Sequence, residues 1–115
     1  MKNAVQEKSY DFALRIVKLY KYLKEEKKEF TLSKQLLRSG TSIGANVEEA
    51  IGGQSKNDFI AKLQISLKET RESHYWLRLL RDSDYLDTKL ADSFLKDCNE
   101  LLALLSSILK SAKNK

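Results

Sequence analysis

The 115 residues contain no proline and only four glycines, so the chain lacks the residues that most often punctuate sheets and long loops. What it has instead is long stretches of helical period. From about Asn3 to Lys28, Val5, Phe12, Ile16, Leu19, Tyr20 and Leu23 recur at spacings that share one face at 100° per residue. A second helix is expected from Ser33, read as its N-cap, with Leu36, Ile43, Val47 and Ala50 as its apolar stripe and Gly52-Gly53 as its stop. Ser55-Lys56-Asn57-Asp58 resembles a capping box with the shorter carboxylate, and Phe59, Leu63, Leu67, Thr70, His74 and Leu77 follow on one face as far as about Asp82. Ser83 to Leu86 turns the chain. Asp87 or Thr88 then caps a fourth helix lined by Leu90, Phe94, Leu101, Leu105, Ile108 and Ala112, with fraying expected from Lys110 to Lys115.

Four amphipathic helices on short connections dictate an all-α, antiparallel up-down-up-down four-helix bundle, because a short loop cannot carry the chain back along the bundle. The length suits a single domain over residues 1–115, able to bury roughly two-thirds of its unfolded surface without a disulfide or metal. Some apolar residues do not fit one core. Ile65, Trp76 and Leu79 fall on the side of helix three opposite its stripe, and Tyr10, Leu14 and Val17 form a second stripe on helix one. These six residues are the expected oligomer interface, since a side chain as large as Trp is costly to leave in water.

Little in the sequence assembles into chemistry. Cys98 is the only cysteine, so no disulfide or cysteine-built zinc site forms within one chain, which fits a reducing compartment. No signal-like segment and no apolar run near the ~18 residues of a membrane span are present, so a cytoplasmic protein is expected. The Glu-x-x-His pairs of di-metal bundles are missing: His74 is preceded at that spacing by Arg71. Cys98 falls within the apolar stripe of helix four, where a thiol is ordinarily inert. Glu48-Glu49 and Glu69/Glu72 read as solvated or lysine-paired glutamates, and Gly52-Gly53 closes a helix rather than cradling a phosphate. The expectation is a non-enzymatic protein with no metal, cofactor or small-molecule substrate.

Charge is more informative by its placement than by its total. Residues 1–38 hold ten Lys and Arg against five acids, residues 39–81 six against five, and residues 82–115 five against six, so the net +5 belongs to helix one and the start of helix two. Arg15, Lys18, Lys21, Lys24, Lys34 and Arg38 are the expected contacts to a polyanion, with RNA or DNA backbone the leading partner. The rival reading is a protein-interaction scaffold with no nucleic acid involved, its lysines a solvated face.

The segment Arg38-Ser39-Gly40-Thr41-Ser42-Ile43-Gly44-Ala45-Asn46-Val47-Glu48-Glu49-Ala50 is rich in small residues for a helix. Gly40 and Gly44 each cost about 1 kcal/mol relative to Ala in a helix interior, so either another backbone comes close here or the helix bends. Asn46, at the edge of the apolar stripe, has two readings: an amide hydrogen-bonded to a neighbouring helix to fix register, which is favoured, or a ligand contact.

This segment, with Gln54-Ser55-Lys56-Asn57-Asp58-Phe59-Ile60, Leu67-Lys68-Glu69-Thr70-Arg71-Glu72-Ser73 and Tyr75-Trp76-Leu77-Arg78-Leu79-Leu80, resembles the bacterial four-helix-bundle family encoded in 23S rRNA intervening sequences, some members of which are labelled ribosomal proteins. The specific signature is Ser42, Ile43, Asn46, Val47 and Glu49. Many members of that family carry Ala-Glu-Gly and then an arginine where this chain has Glu48-Glu49-Ala50 and Gln54, so the chain resembles a subgroup and no role of that arginine is carried over. The resemblance implies a cyclic homopentamer. It also implies similarity to the accessory variability determinant of diversity-generating retroelements, a basic pentameric bundle that binds nucleic acid and a reverse transcriptase. The combined expectation is a self-assembling bundle that offers a basic surface to structured RNA or a nucleoprotein.

Overall fold

The amides of a helix's first turn have no partner inside the helix, so each helix begins where an oxygen can accept them. In the computed structural model, which describes residues 3–114, Asn3 caps α1 (Ala4–Glu25) by accepting from the Gln6 amide at 2.8 Å. Ser55 caps α3 (Lys56–Asp82) through the Asp58 amide at 3.1 Å, and Asp87 caps α4 (Thr88–Lys113) through the Leu90 amide at 2.9 Å. Helix α2 (Leu32–Ile51) starts differently. Ser33 is not its N-cap but lies buried in its first turn, with its hydroxyl donating to the Glu29 carbonyl at 2.8 Å. The Glu29 carboxylate does the capping, accepting from the amides of Thr31, Leu32 and Ser33 at 3.2, 3.1 and 2.7 Å. Burial pushes the Glu29 carboxyl up, and the Ser33, Leu32 and Thr31 amides outweigh it and hold the group below its ordinary value.

The helix ends also differ in part from the sequence reading. Helix α1 stops at Glu25 rather than Lys28, and Lys28 adopts the left-handed conformation with φ 56°. Helix α2 does end at Gly52, yet neither Gly52 nor Gly53 is left-handed. Helix α3 closes in a Schellman turn, with Asp84 at φ 68° in the position glycine prefers; the Tyr85 amide returns to the Leu80 carbonyl and the Asp84 amide to that of Arg81. Helix α4 continues past Lys110 to Lys113. Met1, Lys2 and Lys115, which the single-domain expectation also covers, lie outside the described residues.

The helices pack in chain order: α1 on α2, α2 on α3, α3 on α4, and α4 closes thinly back on α1, with the diagonal pairs further apart. This is an antiparallel up-down-up-down bundle, 46 Å along its long axis. Phe12, Ile16, Leu23, Leu36, Ile43, Leu63, Leu77, Leu80, Leu101 and Leu105 form the fully buried centre. Two seams bring backbones close. At α1–α2, a Cβ on Gly40 would come within 2.9 Å of the Ile16 side chain, and one on Gly44 within 3.3 Å of the Ser9 carbonyl oxygen. The glycines therefore serve close approach, the first of the two alternatives their presence raised.

The buried residues of α3 are Leu63, Ser66, Glu69, Thr70, Ser73, Leu77 and Leu80, a stripe rotated from the one read in the sequence. Leu67 and His74 are only half-buried toward its edge. Ser66 donates across the α2–α3 seam to the Ile43 carbonyl at 2.9 Å, and the Ser39 and Ser73 hydroxyls meet at 2.8 Å. Asn46 makes no such crossing: its amide donates to the Ser42 carbonyl of its own helix at 2.9 Å, so the serines set the register instead. Ser42 in turn donates to the Arg38 carbonyl, and Glu49 pairs with Lys62 across the α2–α3 surface.

Candidate nucleic-acid interface

Antiparallel packing brings the end of α1, the start of α2 and the loop between them to one corner of the bundle. Lys18, Lys21, Lys24, Lys27, Lys28 and Lys34 are all exposed there, and none forms an ion pair with a described residue. Lys24 lies 5.4 Å from the Tyr20 ring centroid. The acids among them are Glu25 and Glu26, which are exposed, and Glu29, whose charge is turned inward onto the α2 amides. Lys27 and Lys28 belong to this corner although the sequence reading did not count them among its contacts.

The two arginines of the expected contact set are placed differently. Arg15 crosses the α1–α4 seam, 2.5 Å from Asp97 and 3.1 Å from the Ser93 hydroxyl, with its guanidinium 4.0 Å above the Phe94 ring centroid. Arg38 spans α2 and α3 to both Glu69, at 2.8 Å, and Glu72. The Trp76 indole donates to Glu72 at 3.0 Å; that bond holds the Glu72 carboxyl below its ordinary value against a burial penalty, with Arg38 contributing. Both guanidiniums are therefore engaged inside the chain. The lysines of the set are exposed and lack such a partner among the described residues.

The apolar stripes fall on separate faces. Tyr10 is 62% exposed, Leu14 48% and Ile65 41%, whereas Val17, Trp76 and Leu79 are half-buried. Trp76 packs against the core and edge-on against Tyr75, at 5.0 Å between centroids, so it is less bare than its position on the wheel suggested.

The groups weighed for catalysis are occupied or closed off. Burial, with Asp97 contributing, pushes the Cys98 thiol up to about 12, so it stays protonated at neutral pH. His74 accepts from the Arg78 side chain at 3.1 Å; burial, then Arg78 and Arg81, lowers its pKa and keeps it neutral. Glu48 accepts from Gln6. Among the described residues no group of three or more His, Cys, Asp or Glu side chains is placed to hold a metal ion, and no helix is long and apolar enough to cross a membrane.

Fold and surface together define a small four-helix bundle with one basic corner. The chain belongs to the 23S rRNA-intervening sequence protein family, whose model matches residues 1–107. It is similar to a crystal structure from Bacteroides thetaiotaomicron, described as a protein of unknown function from the S23 ribosomal protein family. The two are 54% identical, the match covers 94% of this chain and 96% of that one, and the TM-score is 0.93. No curated protein matches the chain.

Proposed function

We propose that the protein is a non-enzymatic, cytoplasmic bundle that self-assembles and binds structured RNA, alone or within a nucleoprotein, through the lysines of its α1–α2 corner. One observation carries this reading: six exposed lysines between residues 18 and 34 have no ion-pair partner among the described residues, while Glu29, an acid among them, is consumed as a helix cap. Uncompensated cations on a rigid helix attract a polyanion, and binding is driven by counterion release. The family's description, which ties it to 23S rRNA, supports RNA as that polyanion. Assembly rests on the α1 and α3 stripes. Because they lie on different faces, copies join head to tail, the arrangement that closes into rings such as the homopentamer the resemblance implies. Each added copy repeats the basic corner and adds to its field.

The test is a titration of a labelled structured RNA by fluorescence anisotropy at several salt concentrations, comparing the unaltered protein with K18E/K21E/K24E. The variant is expected to bind more weakly across all RNA sequences, with the slope of log affinity against log salt reduced by about 2 to 3 for three lost phosphate contacts. Unchanged affinity and slope would move the interface elsewhere. A protein that binds no RNA but purifies with a stoichiometric polypeptide would favour the scaffold reading.

A further inference from the structure

Beside the lysine corner, the thin α1–α4 seam leaves a depression of about 340 Å³ lined by Arg15, Lys18, Leu19, Tyr22, Leu90 and Phe94. Its chemistry is mixed in an ordered way. Leu19, Leu90 and Phe94 supply an apolar floor, Tyr22 is a ring 40% exposed at one end, and Arg15 and Lys18 are cations. Arg15 and Tyr22 are seven residues apart, so they share a face of α1 about 10 Å apart along its axis, with Lys18 one turn from each. The Arg15 guanidinium is not a loose charge: Phe94, Asp97 and Ser93 hold its plane, and its side chain remains 36% exposed.

A fixed guanidinium plane and an exposed ring over an apolar floor, with Lys18, which has no ion-pair partner among the described residues, between them, suit a flat heteroaromatic ring bearing a nearby phosphate. We infer that this depression takes the base of one unpaired nucleotide of the bound RNA, stacked between Tyr22 and Arg15, with its phosphate on Lys18. The inference rests on the proposed RNA function and narrows it, because a base within a continuous duplex cannot enter the seam. The corner then recognises a bulge, loop or single-stranded end rather than a plain stem. Continuity with the lysine corner, through Lys21 and Lys24 on the same helix, favours a nucleotide within a strand over a free mononucleotide.

The experiment compares two labelled RNAs of equal length by anisotropy, a perfectly paired stem and the same stem with an unpaired bulge, against the unaltered protein, Tyr22→Ala and Tyr22→Phe. Adenosine monophosphate serves as competitor. The protein is expected to prefer the bulged RNA. Tyr22→Ala should weaken the bulged complex roughly five- to a hundredfold, leave the paired stem unchanged and keep the circular dichroism melt, whereas Tyr22→Phe retains the preference because the ring is kept. Equal binding of the two RNAs by the unaltered protein, or an unchanged preference in Tyr22→Ala, would overturn the base pocket while leaving the lysine interface standing. Displacement of the bulged RNA by equimolar adenosine monophosphate would overturn the assignment to a strand. Failure to bind either RNA would remove the function on which the pocket depends.

Discussion

Gly40 shows how much of this fold is decided by the absence of a few atoms. Glycine costs about 1 kcal/mol in a helix interior relative to alanine, so on propensity alone Gly40→Ala should stabilise α2. The structure reverses that sign, because the added methyl would sit 2.9 Å from both γ carbons of Ile16, a fully buried and β-branched side chain with little freedom to move. Overpacking of this kind costs about 1 to 3 kcal/mol, and Gly40→Ala is expected to lose about 1 kcal/mol net in urea denaturation. Ile16→Ala alone should cost about 2 to 5 kcal/mol through its cavity. In that background Gly40→Ala should become neutral or stabilising, giving a coupling energy on the order of 1 to 2 kcal/mol. Additive costs would show that Gly40 and Ile16 do not share the crowding described.

At the scale of the element, the start of α2 depends on an acid outside the helix. With Glu29 capped onto three amides, Glu29→Ala is expected to cost about 1 to 2 kcal/mol, and Glu29→Gln, which keeps one acceptor oxygen, less. The sign of the pH effect follows from the lowered pKa of this group. The ionised carboxylate is favoured in the folded state, so its contribution is complete above the ordinary carboxylate range and is lost as the pH falls through the folded value. Thermal melts between neutral pH and about pH 3 should therefore show a steeper acid limb for the unaltered protein than for Glu29→Gln. Parallel limbs would mean that Glu29 does not cap α2 in solution.

The same element shows where the sequence was readable. Leu36, Ile43, Val47 and Ala50 recur at helical spacing, and all four are buried. Asn3, Ser55 and Asp87 stand next to the helices they cap, so local reasoning reaches them. Glu29 reaches forward over the loop, which no local cap rule anticipates. On α3, Ser66, Thr70 and Ser73 count as polar on any hydrophobicity pattern, yet they are buried. A serine returns its hydroxyl to its own helix or a close neighbour, and its small volume lets α2 approach. The polar face of α1 showed in the sequence as lysine spacing. The capture of Arg15 by Asp97 and of Arg38 by Glu69 and Glu72 did not, because the partners lie 82, 31 and 34 residues away along the chain.

At the scale of the whole molecule, the four helices divide the labour. Helices α2 and α3 pack most extensively, on serine and threonine, and Arg38 on their surface is paired with Glu69 and Glu72 of α3. Helix α1 is held less tightly to α4, and it carries Lys18, Lys21 and Lys24 and borders the depression, floored in part by Phe94, that Lys18 flanks. In the proposed function that basic face is joined to assembly through the α1 and α3 stripes. The measurement that tests it most directly is light scattering coupled to size exclusion at low and high salt, following absorbance at 260 and 280 nm, on protein purified without nuclease. The expected result is a mass of several subunits, five by the family resemblance, carrying nucleic acid that high salt removes while the protein assembly persists. A monomer mass with no nucleic acid at either salt would contradict both halves of the claim.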